Sequence, residues 1–353
     1  MLDILLEHFN DRVCVAADSD KIRERLKQER VRLMDPEYLQ REVFGKPQWA
    51  WDFESLDEGF MAMVAPFMAR ECGTSHLYLQ ALAAFGSSRP EYENLIVLLE
   101  YSHYASLIED YYNFNDTFVE PEKDPRRCAR LTQLKFAGQY LTVYGRYLLI
   151  RNTLKADTET MTRLHRWIKN TYITWGIGGG VLNQWCAARF SGVSEDNYRQ
   201  NAINGLCLHF LAPIVMAAIM AGKSEETVQQ LKEALSWLSL SVKLRSERRW
   251  LTGKIDLDVG AHHENALLPP TLPATLFLQK GLALSEDTPP TLIGVHTAMT
   301  QQVKDAMTDA DLESLEKMER QYFETFAKQM QKMGCAPELT QRLADGLEQE
   351  VSS

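Results

Sequence analysis

Cysteine is scarce and scattered in this 353-residue chain. The six, Cys14, Cys72, Cys128, Cys186, Cys207 and Cys335, include no CxxC pair. Neither a zinc site nor a disulfide framework is indicated, and reduced thiols in a cytoplasmic protein are the expectation. Positive charge is in deficit: 38 Lys and Arg stand against 48 Asp and Glu, a net charge of −10. That balance argues against nucleic acid or an anionic membrane as the main partner, while leaving room for a small basic pocket. The opening "MLDILLEHFNDRV" is acidic and its apolar run is short, so no signal peptide is expected. Only residues 206–222 approach the length of a membrane span. They contain His209 and Pro213 and have no companion segment, so a central buried helix is expected and no integral membrane segment. Strand-like alternation, repeats, low-complexity tracts and long linkers are missing too.

What remains is a globular composition, 45% hydrophobic and 24% charged. Apolar residues recur at helical spacing from one end to the other. Helices are expected over "DKIRERLKQERVRLM", "SLDEGFMAMVAPFMAREC" and a long run from Ser88 and Pro90 to about Phe114. Others follow in "RRCARLTQLKFAGQYLTVYGRYLLI", "DTETMTRLHRWIKNTYITWGIGGG", "SEDNYRQNAINGLCLHFLAPIVMAAIMAG", "SEETVQQLKEALSWLSLSVKLRSERRWLTG" and "DADLESLEKMERQYFETFAKQMQKMG". Asp and Ser at their starts and glycine at their ends are the usual capping signals. The expectation is one all-α domain over 1–353, a helical bundle of ten or more helices. The glycine run at 176–180 is expected to break its helix, and 258–273, with His262-His263-Glu264, to form a loop.

One stretch of the long helix does not belong on a surface. In "SLIEDYYNFNDT", Glu109, Asp110 and Asn113 gather oxygens on one stripe after the apolar "LIVLLEYSHYASLI". Two carboxylates and an amide at that spacing suit Mg²⁺, a hard cation that bridges carboxylates to phosphates.

"EDYYNFNDT" resembles the aspartate-rich helix end of the trans-isoprenyl diphosphate synthases. Glu109, Asp110 and Asn113 stand at its acidic positions and Asp116-Thr117 at its trailing pair. "LTGKIDLDV" is similar to the family's late Gly-Lys segment, which puts Lys254 on diphosphate. "LLPPTLPATL" is similar to the stretch that follows it. The resemblance covers roughly residues 40–280. It implies the isoprenoid-synthase fold, helices around a central apolar pocket, a prenyl diphosphate substrate, Mg²⁺ as cofactor and a homodimer. Tyr104, five residues before the first acid, stands where the family floors its pocket. Tyr111, Phe114 and Trp175 are expected to line it, since aromatic faces stabilise carbocations.

The departures from the family point in one direction. "VFGKPQWAW" keeps Lys46 but lacks the arginine that would hold isopentenyl diphosphate. Phe118-Val119 replace paired arginines, and Ile203-Asn204-Gly205 lacks the family's lysine. In place of a second acidic motif stands Ser239-x3-Lys243-x3-Glu247, one face of a helix. Lys243 there is expected to meet diphosphate as a point charge, with Glu247 and Arg248 beside it. The resemblance therefore implies a class I terpene synthase. It would ionise one short allylic diphosphate, farnesyl diphosphate by preference, and cyclise it to a sesquiterpene, with Asp110, Asn113, Lys243 and Lys254 as catalytic groups. Two alternatives stand beside it: a chain-elongating prenyl diphosphate synthase, and a non-catalytic partner subunit of one.

Overall fold

The computed structural model describes residues 73–87, 89–99, 154–188, 193–203, 208–252, 302–303, 305–335 and 337–338, with single residues 24, 287, 298 and 341. Among them all regular structure is helical. The helices are α1 (Gly73–Ala84), α2 (Thr158–Ala187), α3 (Glu195–Asn201), α4 (Leu208–Met220), α5 (Glu225–Leu251) and α6 (Asp309–Lys332), with a 3₁₀ turn at Pro90–Asn94. The expected helices over 55–72 and 126–150 lie outside the described residues, as do the one over 20–34 except for the helical Glu24 and the long helix beyond residue 99.

α4 is the centre. Residues 212–220 are all buried, as a helix apolar on every side must be. It packs on α1, α2 and α5. Pro213 in its second turn forfeits one backbone hydrogen bond. No helix among the described residues is long and apolar enough to cross a membrane. The apolar faces of α1, α2, α4 and α5, residues 95–99, and Phe326 and Met330 of α6 share one core. Tyr78 ties α1 to the 3₁₀ turn, its buried hydroxyl donating to the Tyr92 carbonyl at 2.8 Å.

The helix starts follow the capping residues. Asp157 accepts from the Thr160 amide at 2.8 Å. Ser194 with Asn197, and Thr308 with Asp311, form capping boxes. Ser224 accepts from the Thr227 amide. Gly222, at φ +70°, closes α4 with the Lys223 amide bonded back to the Ala218 carbonyl. The α4–α5 turn is strapped to α2, because Arg163 donates to the Lys223 carbonyl at 2.7 Å and pairs with Glu225. This strap fixes where α5 begins.

Within the expected helix from Ser194 to Gly222, α3 passes into a π turn at 202–203, and helix is described again from Leu208. Two expectations need correction. The glycines at 176–180 do not break α2, which runs through them. Glycine weakens a helix by about 1 kcal/mol per residue but does not clash with it, so a 30-residue helix anchored at its start can carry the run. Arg89, and not Ser88, immediately precedes the 3₁₀ turn, without a side-chain cap.

Candidate active site

The C-terminal half of α5 carries polar groups on two opposite faces. At 3.6 residues per turn, Ser239, Lys243 and Glu247 lie roughly 160° around the helix from Ser241, Arg245 and Arg248. Both faces are largely buried.

The second face meets α6. Glu319, 2% exposed, receives the Arg245 Nε at 2.5 Å and the Arg248 Nε at 3.1 Å. Arg248 also approaches Glu316 at 3.7 Å, and the Ser241 hydroxyl donates to the Glu319 backbone carbonyl. One buried carboxylate is thus shared by two guanidinium groups, with Glu316 adding a second negative charge beside Arg248, and α5 is pinned to α6. Arg248, expected to contact substrate, has its guanidinium engaged by this neighbouring helix. Glu319 went unnoticed in the sequence, although a signal was there. The buried positions of α6 are Leu315, Glu319, Tyr322, Phe326 and Met330, so one acid interrupts an otherwise uncharged stripe.

On the first face, Lys243 Nζ lies 2.7 Å from Glu247 Oε1, with side-chain exposures of 12% and 1%. Tyr322 of α6 lies within electrostatic reach of Glu247. Burial pushes its phenol up to about 12, aided by the negative charges of Glu195 and Glu247 and opposed by Arg199. Its hydroxyl is buried with no hydrogen-bond partner among the described residues, and its ring packs 5.9 Å from that of Trp237. Around them Tyr198, Ala202, Leu240, Leu244 and Leu315 form a second apolar cluster. Trp237 packs against this cluster.

The sequence-predicted site residues divide accordingly. Lys243 and Glu247 are brought together, and Arg248 lies on the other face of the same helix. Trp175 lies within α2. Tyr104, Glu109, Asp110, Tyr111, Asn113, Phe114 and Lys254 lie outside the described residues. Among the described residues no three His, Cys, Asp or Glu side chains are grouped to hold a metal ion. Of the three positions on the first face, only Glu247 offers a carboxylate, and an ammonium already holds one of its oxygens. This half of the site does not fit a divalent cation, which needs several free oxygen ligands.

No family model and no curated protein sequence matches the chain. Solved structures do. A geranylgeranyl pyrophosphate synthase is similar with a TM-score of 0.59 at 16% identity, over 93% of this chain and 98% of the other. A polyprenyl synthase from Caulobacter crescentus CB15, complexed with calcium and isoprenyl diphosphate, is similar with a TM-score of 0.58 at 16% identity, over 100% and 98%. A geranylgeranyl pyrophosphate synthase from Corynebacterium glutamicum, complexed with isoprenyl diphosphate and magnesium, is similar with a TM-score of 0.58 at 16% identity, over 94% and 97%. At such identities the likeness carries the fold and not the reaction.

Proposed function

We propose that this chain, which has the all-α fold of the isoprenyl diphosphate synthases, acts on an allylic prenyl diphosphate and joins its prenyl group to isopentenyl diphosphate. The observation that supports this is the fold likeness to synthases of that class along nearly the whole of both chains. In the reaction the allylic carbon–oxygen bond breaks and diphosphate leaves with the electron pair. The allylic carbon bonds to the double bond of isopentenyl diphosphate, and a proton is lost. Glu109, Asp110 and Asn113 would hold Mg²⁺, which screens the diphosphate charge. Lys254 and Lys243 would meet the departing diphosphate as fixed positive charges. Tyr104 would floor the chain pocket, with Tyr111, Phe114 and Trp175 along its wall.

A second reading, cyclisation of farnesyl diphosphate without a co-substrate, is favoured by one structural observation. The carboxylate of Glu247 is bridged by Lys243, so the site departs from a symmetric pair of acidic motifs. The missing arginines after "VFGK" and at Phe118-Val119 lean the same way.

Product analysis by mass spectrometry separates the readings. Purified protein is incubated with Mg²⁺ and geranyl, farnesyl or geranylgeranyl diphosphate, each with and without isopentenyl diphosphate, beside Asp110→Ala. Elongated diphosphates that require isopentenyl diphosphate and vanish in the variant are expected. A cyclic hydrocarbon or alcohol from one substrate alone would overturn elongation in favour of cyclisation. No turnover with any substrate would point to a non-catalytic partner subunit.

A further inference from the structure

The surface over α2 and α5 carries two exposed stripes of opposite charge. On α2, His165, Arg166 and Lys169 are exposed. No acid stands three or four residues from any of them, where it could pair along the helix. No ion pair among the described residues includes them either. In a chain of net charge −10 this is a local reversal of sign. On α5, Glu226 and Glu233 are exposed. They accept hydrogen bonds from Gln230 and Gln229 of the same helix, at 3.5 and 3.2 Å. Neither is in an ion pair among the described residues. The helix dipole accounts for Glu226 in the first turn, but not for Glu233, about two turns on.

A seam joins the stripes. Arg163 of α2 pairs with Glu225 of α5 at 3.2 Å, and further along both helices the Lys232 ammonium lies 5.8 Å from the centre of the half-buried Trp167 ring. The two helices therefore run in the same direction. At 3.6 residues per turn, Glu226 and Glu233 lie roughly 100° around α5 from Glu225 and Lys232, and Arg166 and Lys169 roughly 110° around α2 from Arg163 and Trp167. Leu164 and Ile168 on α2, and Val228, Leu231 and Leu235 on α5, turn into the core. The stripes thus flank the seam, one on each side. An anionic bilayer, a nucleic acid or an acidic protein would be repelled by the acidic stripe. A second copy of the chain brings both signs in the right order. Rotation by 180° about an axis along the seam lays the face on itself with its two sides exchanged, so each basic stripe meets an acidic one, twice over. An axis across the seam would instead set like charges together. We propose that this face joins two copies of the chain, the basic stripe of each α2 lying on the acidic stripe of the other copy's α5, with the helices parallel and Trp167 near the axis. The inference does not depend on the reaction proposed above.

The test is sedimentation velocity on the full-length protein. Wild type should be a dimer that dissociates as salt is raised. Arg166→Glu/Lys169→Glu makes both stripes acidic, and Glu226→Lys/Glu233→Lys makes both basic. Each variant alone should lose dimer affinity by roughly a hundredfold or more. Mixed in equal amounts, the two should form a dimer of one copy each, followed by a fluorescent label on one of them. All four substitutions in one chain should restore the dimer as well. The four positions are exposed, so circular dichroism should show the fold unchanged. Should a reversal fail to fold, Arg166→Gln/Lys169→Gln and Glu226→Gln/Glu233→Gln take its place, with a smaller loss expected. A monomeric wild type overturns the inference. So does a dimer that neither reversal weakens, which would belong to another face, and so do two folded variants that stay apart on mixing. A wild-type monomer that binds phosphatidylserine vesicles, and loses them in Arg166→Glu/Lys169→Glu, would give the basic stripe to a membrane instead.

Discussion

Replacing Glu319 by alanine removes the carboxylate shared by two arginines on the α5–α6 seam and leaves Glu316 near Arg248 alone. Arg245 and Arg248 reach this one carboxylate from a single helix. Without it, two guanidinium groups remain close together in a mostly buried setting. A pair of unit charges about 4 Å apart interacts with about 4 kcal/mol at an effective dielectric constant near 20. Removing one partner of a buried pair typically costs about 3–5 kcal/mol. The arginines keep 15% and 19% of their side-chain surface, so water recovers part of the loss, and about 3 kcal/mol is expected. Urea unfolding followed by far-ultraviolet circular dichroism measures it. Glu319→Gln, which keeps an acceptor but no charge, should fall between wild type and alanine. Replacing Arg245, Arg248 and Glu319 together by methionine should be nearly neutral, because no unpaired charge is left. A loss below about 1 kcal/mol for Glu319→Ala would match an exposed pair and refute the reading of this contact as the buried clamp of the seam.

Tyr322→Phe should leave stability near neutral pH unchanged or slightly raised, since its buried hydroxyl has no hydrogen-bond partner among the described residues. Its pKa is raised from 10.0 to about 12 on folding, so the folded chain holds this proton more tightly than the unfolded one. Its contribution is therefore fully present below pH 10 and lost as pH rises towards about 12. Urea unfolding across that window should show a shallower decline in Tyr322→Phe, with a remainder from Tyr78, which burial also raises. Ser194→Ala removes the capping box of α3 and should cost about 1 kcal/mol by the same assay. Leu244→Ala empties a fully buried place between α3, α5 and α6, for an expected 2–5 kcal/mol, roughly, in thermal or urea unfolding.

The capping signals at Asp157, Ser194 and Ser224 announce three helix starts that the structure keeps, because a cap is a local hydrogen bond and needs no knowledge of the rest of the chain. α1 escaped notice, since "GTSHLYLQALAA" has neither an acidic first turn nor a basic last one; its place is decided by packing against α4. The π turn at 202–203 was hidden for the opposite reason: these residues are helical in preference, and no local pattern tells a wider turn from a regular one. In the candidate site the spacing of Ser239, Lys243 and Glu247 was legible from the sequence as one helix face. Their pairing was not, because an i, i+4 lysine and glutamate read as a surface pair until burial is known. The contact of Arg248 with Glu319 was hidden for a related reason: the two lie 71 residues apart, and no local pattern links them.

The passage of α2 through Gly176, Gly178, Gly179 and Gly180 has a dynamic consequence. Four glycines set against alanine weaken the intrinsic preference for helix by about 4 kcal/mol over little more than one turn. The helix is continuous there because the turns on either side and the tertiary setting hold it so, and its own backbone adds little. Such a stretch opens more readily than its flanks. Amide hydrogen exchange along α2 should therefore not grade smoothly from the ends inward. It should show a well-protected first half around Leu164 and Ile168, both in the main core, and a faster-exchanging window at the glycines. The rod would behave as two protected segments joined by a soft one.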